Sequence, residues 1–60
     1  MCESTAYVVK DGREELFFED IDSLENDDGE ITLMNIFGEK RHIRARIRRF
    51  SLVEHKIFLE

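Results

Sequence analysis

The stretch KRHIRARIRR, residues 40–49, decides the fold class of this chain. Three apolar side chains in it, Ile43, Ala45 and Ile47, alternate with histidine and arginine side chains. A period of two residues is typical of a β-strand with one buried and one exposed face. The stretch therefore predicts a half-buried strand rather than a loop.

An amphipathic helix over residues 41–52 is the alternative, because Ile43, Ile47 and Phe50 are also separated by four and three residues. The strand is favoured because Gly38 precedes the segment and the two residues after it, glutamate and lysine, are poor helix N-caps. The neighbouring apolar segments are also short and β-like. We therefore expect no helix here.

Turn signals divide the rest of the chain into short strands. The pair Asp11-Gly12 is typical of a hairpin turn that needs positive φ at both central residues, and further turns are predicted at residues 26–29, 37–39 and 53–55. The predicted strands lie at residues 6–9, 16–18, 30–36, 40–49 and 56–59. Short strands joined by tight turns predict an all-β fold, a small antiparallel SH3-like barrel.

The length of 60 residues allows a single domain over residues 1–60 with a thin core. A domain of this size usually needs a disulfide, a metal or a partner subunit, and one cysteine cannot form an intramolecular disulfide. No signal peptide and no apolar run long enough to span a membrane occurs. We expect a cytoplasmic protein without a membrane partner.

Two pairs of adjacent apolar residues suggest a partner chain. Phe17 lies next to Phe18, and Phe58 lies next to Leu59. In a strand, one member of each pair points away from the barrel interior. These outward residues favour a homodimer interface, unless a loop or the curvature of the sheet covers them.

The charge is distributed unevenly, with a net charge of −5 overall. Most acidic residues lie in the first half of the chain, and residues 20–30 predict a solvated acidic loop that does not fit the EF-hand pattern. The second half is basic, and Arg44, Arg46 and Arg48 on one face of a strand are the candidate residues for RNA binding. Nucleic acid is nevertheless an unlikely partner, because residues 40–49 contain no aromatic side chain to stack on bases.

Cys2 is the one cysteine, and it follows Met1. If Met1 is retained, its amine, the amide nitrogen of Cys2 and the Cys2 thiolate form two adjacent five-membered chelate rings around a metal. If Met1 is removed, the amine and thiol of Cys2 form one such ring. A deprotonated amide favours square-planar geometry, which Ni(II) and Cu(II) adopt. A second chain related by a two-fold axis would complete the square. On the residues alone, an incidental thiol in a terminal segment remains the other interpretation.

Six segments of the sequence resemble the CooT family of small nickel-binding proteins: MCESTAY at residues 1–7, KDG at 10–12, EEL at 14–16, NIFGE at 35–39, RARI at 44–47 and EHKIFLE at 54–60. The resemblance covers the whole chain. It implies an SH3-like barrel that forms homodimers and delivers nickel during maturation of carbon monoxide dehydrogenase. It also implies Ni(II) binding by Cys2, with Met1 supplying the terminal nitrogen if Met1 is retained.

The remaining candidate residues are weak. His42 is surrounded by basic residues, and His55 lies in a predicted turn, so neither is favoured as a metal ligand. The sequence contains no recognisable catalytic motif that pairs a nucleophile with a general base, and no phosphate-binding loop. We therefore expect a nickel-binding protein that is not an enzyme, with an RNA-binding module as the alternative.

Overall fold

The computed structural model describes residues 3–60, which form β-strands and turns and no helix. The six strands are β1 (Ser4–Lys10), β2 (Arg13–Asp27), β3 (Glu30–Asn35), β4 (Lys40–Arg44), β5 (Ile47–Ser51) and β6 (Lys56–Leu59). The predicted all-β fold in one small sheet is confirmed. Within these residues there is no helix of the length and apolarity that a membrane-spanning helix needs.

The strands form one mixed sheet in the order β4-β3-β2-β1-β6-β5. The prediction of a purely antiparallel sheet is wrong, because β1 and β6 pair in parallel. Four tight turns reverse the chain between these two strands, and an even number of reversals returns β6 to the direction of β1. Closure into a barrel is not confirmed, since among residues 3–60 no ladder joins the edge strands β4 and β5.

Two hairpin turns form where the sequence predicts them. Asp11 and Gly12 have φ values of 54° and 76°, and Asp28 and Gly29 have values of 52° and 85°. Left-handed φ at both central residues gives a turn whose twist matches that of the flanking strands. The aspartate-glycine pairs therefore set the registers of β1 with β2 and of β2 with β3.

Strand β2 is much longer than predicted and bends where its pairing contains three register shifts. The register with β1 shifts on both sides of the pair Ala6 and Phe18, close to Asp20 with its φ of 56°, and the register with β3 shifts between Ile21 and Ser23. The acidic residues predicted to form a loop therefore belong to a strand that continues to Asp27. The bends let one strand pair with β1 at one end and with β3 at the other.

Residues 40–49 are extended, as predicted, but they do not form one strand. The chain kinks at Ala45 and Arg46, where it leaves β3 and joins β6. The Ala45 N–H donates to the Gly29 carbonyl at 3.1 Å, and the next residue exchanges two backbone hydrogen bonds with Glu60. The predicted alternation survives the kink, because Ile43, Ala45 and Ile47 are half-buried while the arginines between them are exposed.

The core lies on the inner face of the curled sheet and is small. Its buried apolar residues are Ala6, Phe18, Ile21, Ile31, Leu33 and Leu59. Phe58 points to the other face and is also buried, under the Tyr7 ring and the Arg49 guanidinium. Phe17 packs against the core. The prediction that these adjacent pairs leave an apolar side chain exposed for a partner is therefore wrong.

Candidate metal centre

The two predicted metal ligands, Met1 and Cys2, lie outside the described residues. The described chain begins at Glu3, and β1 begins at the next residue, Ser4, which is half-buried. The surroundings of Ser4 are therefore the part of the structure that bears on a site at the start of the chain.

Ser4 stands in a row of residues that crosses the sheet. It pairs with Ile21 on β2, and Ile21 pairs in turn with Asn35 at the end of β3. On the other side, the Thr5 N–H donates to the His55 carbonyl at 2.9 Å. The start of β1 therefore lies between the β3–β4 turn and the β5–β6 turn.

An apolar groove opens next to the start of β1. Ser4 lines it together with Leu24 and Ile47 and with residues at the end of β5 and in the β5–β6 turn: Phe50, Ser51, Leu52, His55, Lys56 and Ile57. Leu52 is 78% exposed, and Phe50 is also exposed. Clustered exposed apolar side chains of this kind are typical of an interaction surface.

The proximity of His55 to the start of β1 is a feature that the sequence did not predict. His55 is separated from Ser4 by almost the whole chain, and the two come together because β6 pairs with β1 in parallel. His55 lies in the tight turn before β6 and has a positive φ of 58°. No sequence signal connects a residue in this turn with the opposite end of the chain.

The other histidine lies elsewhere on the sheet. His42 and Thr32 are cross-strand neighbours on β4 and β3, and the His42 Nδ1 atom lies 2.9 Å from the Thr32 hydroxyl oxygen. A shallow hollow beside them also contains Glu25, Asp27 and Glu30. Within residues 3–60, no three histidine, aspartate or glutamate side chains converge as a metal site.

The arginines of the basic run have partners within the chain. Arg44 lies 3.7 Å from a Glu30 oxygen, while Arg46 and Arg48 both contact the Glu60 carboxylate, at 3.6 and 3.1 Å. All three side chains are well exposed, so these ion pairs are weak. The RNA-binding alternative therefore remains a prediction, although its basic face is partly neutralised by these carboxylates.

Comparisons with known proteins agree with this fold. All 60 residues match the family model described as CO dehydrogenase accessory protein CooT. A crystal structure assigned as CooT from Carboxydothermus hydrogenoformans superposes with a TM-score of 0.90 at 44% sequence identity, covering 98% of this chain and 95% of that chain. No curated protein matches the chain. The chain belongs to the CooT family of CO dehydrogenase accessory proteins.

Proposed function

We propose that this chain is a cytoplasmic homodimer that binds one Ni(II) ion through Cys2 of both copies and delivers it to CO dehydrogenase. The observation that supports the proposal most is the match of the whole chain to an accessory family of that enzyme, in a sequence with cysteine at position 2. As an accessory protein, the chain carries nickel as cargo and catalyses no reaction.

The chemistry of the first two residues suits this cargo. The Met1 amine, the Cys2 amide nitrogen and the Cys2 thiolate are three consecutive donors that a single ion can chelate. A deprotonated amide and a thiolate together favour a planar ion such as Ni(II) over a tetrahedral ion such as Zn(II). Fewer than four donors from one chain leave a coordination position for the second chain or for the receiving enzyme.

The groove beside Ser4 is the proposed dimer interface. A contact between two copies of the same groove is isologous, which is the interface type of a two-fold dimer. Two residues of chain span at most about 7 Å, so ligands at Cys2 would stay close to the groove rim at Ser4. Burying Phe50 and Leu52 of both copies would therefore bring the two sets of ligands together.

Native mass spectrometry of the untagged protein titrated with Ni(II) tests this proposal. We expect one nickel per dimer for the parent protein and none for Cys2→Ala, with the same circular dichroism spectrum for both. His55→Gln is the matched control, because it removes a potential ligand from the groove without touching Cys2. Nickel retained by Cys2→Ala would contradict the proposed ligand, and nickel lost in His55→Gln would add the imidazole to the site.

The dimer interface is tested separately by sedimentation of Leu52→Asp. A buried carboxylate without a partner is costly, so we expect this variant to be monomeric. Val53→Asp introduces the same charge at a neighbouring residue that is 90% exposed and does not line the groove. A dimer that survives Leu52→Asp would place the interface elsewhere.

A further inference from the structure

The turn at residues 35–39 is held in one conformation by the Asn35 side chain. The Asn35 Oδ1 atom accepts hydrogen bonds from the Phe37 and Glu39 N–H groups, both at 2.9 Å, and its Nδ2 donates to the Glu39 carboxylate at 2.7 Å. The Ile36 N–H donates to the Asp20 carbonyl at 2.9 Å, which ties the turn to β2. Asn35 is itself buried. The conformation of the turn is therefore set before any partner binds.

This fixed turn presents an aromatic ring to solvent. The Phe37 side chain is 73% exposed, and it lines a shallow hollow together with Leu16, which is 57% exposed. A single exposed apolar residue is ordinary. An exposed aromatic ring on a preordered turn is different, because a partner can bury the ring without the cost of ordering the loop. Aromatic residues, including phenylalanine, are enriched at protein interfaces relative to the rest of the surface.

The rim of the hollow is acidic. Glu19, Asp20 and Glu39 line it, and none of the described residues that line it is basic. The nearby Arg41 guanidinium lies over the Phe18 ring, 4.8 Å from its centroid, and its single positive charge is outnumbered by these three carboxylates. A complementary surface would therefore carry basic residues around an apolar pocket.

The turn lies at the same end of the sheet as the start of the chain. Asn35, Ile21 and Ser4 are successive neighbours across three strands, and adjacent strands are about 4.8 Å apart. The turn therefore begins only about 10 Å from Ser4, by two such spacings. A partner that contacts Phe37 would lie next to a metal held at the start of the chain.

We propose that Phe37 and Leu16 form the docking surface for the enzyme that receives the nickel, whose matching surface is basic with an apolar pocket. This proposal rests on the proposed function for the identity of the partner. The docking surface, formed by Phe37 of the turn and Leu16 of β2, is separate from metal binding at Cys2 and from dimerisation through the groove.

Binding of the protein to purified nickel-free CO dehydrogenase of the same organism, measured by biolayer interferometry, tests the docking surface. We expect Phe37→Ser to weaken binding by at least about 30-fold, the loss typical of a hot-spot residue, and Leu16→Ser to weaken it less. Val53→Ser also removes an exposed apolar side chain, but one outside the docking surface. Its affinity for the enzyme should therefore lie within about twofold of that of the parent protein. Glu19→Lys should weaken binding and reduce its dependence on salt.

Nickel stoichiometry of Phe37→Ser is measured in parallel by native mass spectrometry, and we expect it to equal that of the parent protein. Equal binding of Phe37→Ser and the parent protein to the enzyme would overturn the docking surface and leave the nickel proposal intact. Absence of any binding by the parent protein would also overturn it. A monomeric Phe37→Ser would show that the turn joins two copies of the chain, and would overturn it as well. If the parent protein itself does not bind nickel, the proposed function is refuted instead.

Discussion

Tyr7 stacks on Phe58 across the parallel pair of β1 and β6, with ring centroids 5.5 Å apart and ring planes inclined by 19°. The Arg49 guanidinium lies 4.2 Å from the Phe58 centroid, and the Lys56 ammonium lies 5.7 Å from the Tyr7 centroid. Aromatic and cationic groups thus cover the outer face of the sheet over β1 and β6, on the side opposite the core. The parallel pair is stabilised from both faces.

Removal of this stack should destabilise the sheet where the two ends of the chain meet. For Tyr7→Ala we expect a loss of about 1–3 kcal/mol in the free energy of unfolding, because a half-buried ring and its stacking contact disappear. Tyr7→Phe retains the ring and should lie within about 0.5 kcal/mol of the parent protein, as for substitutions that leave the packing intact. Urea denaturation at fixed protein concentration measures both. Equal stabilities of Tyr7→Ala and Tyr7→Phe would show that the stack contributes nothing.

Replacement of Asn35 by its closest analogue, aspartate, should destabilise the fold. Asn35→Asp retains the acceptor for the two N–H groups but loses the donor to Glu39 and places two carboxylates together, so we expect a loss of about 1–3 kcal/mol at neutral pH. Glu39→Gln in the same chain removes the repulsion and supplies a new donor, and should restore most of the stability. Urea unfolding of both single variants and the double variant measures the coupling. Additive effects would contradict a direct contact between the two side chains.

The last residue should stabilise the fold through its backbone more than through its charge. Glu60 exchanges two backbone hydrogen bonds with Arg46, at 3.2 and 2.9 Å, whereas its carboxylate makes exposed ion pairs with Arg46 and Arg48. Deletion of Glu60 should therefore cost about 1–3 kcal/mol, and Glu60→Gln at most about 1 kcal/mol, decreasing with added salt. Thermal unfolding at low and high salt separates the two contributions. A larger effect for Glu60→Gln would give the ion pairs the greater role.

An extra residue before Met1 should change the nickel stoichiometry. A variant with one glycine ahead of Met1, released by protease cleavage of a longer leader, has an amine, two amide nitrogens and a thiolate in sequence. These four donors fill a square plane from one chain, so we expect one Ni(II) per chain instead of one per dimer. Acetylation of the amine is the control and should weaken binding by removing one donor. An unchanged stoichiometry would exclude the terminal amine from the site.

The fold class could be predicted from the sequence because its signals are local. The two aspartate-glycine turns and the alternation of Ile43, Ala45 and Ile47 each depend on residues close together in the chain, and each appears as predicted. The kink at Ala45 could not be predicted, since it depends on where the distant strands β3 and β6 end. For the same reason, the burial of Phe58 depends on Tyr7, at the other end of the chain.

For the candidate site, the sequence by itself determined that Cys2 directly follows Met1, because neighbouring residues are joined covalently. It also determined the family, through segments spread over the whole chain. Only the tertiary structure decided what surrounds the start of β1: His55 and the groove on one side, and the 35–39 turn on the other. These neighbours come from strand pairings between residues far apart in the chain, and four reversals of direction bring them to one end of the sheet.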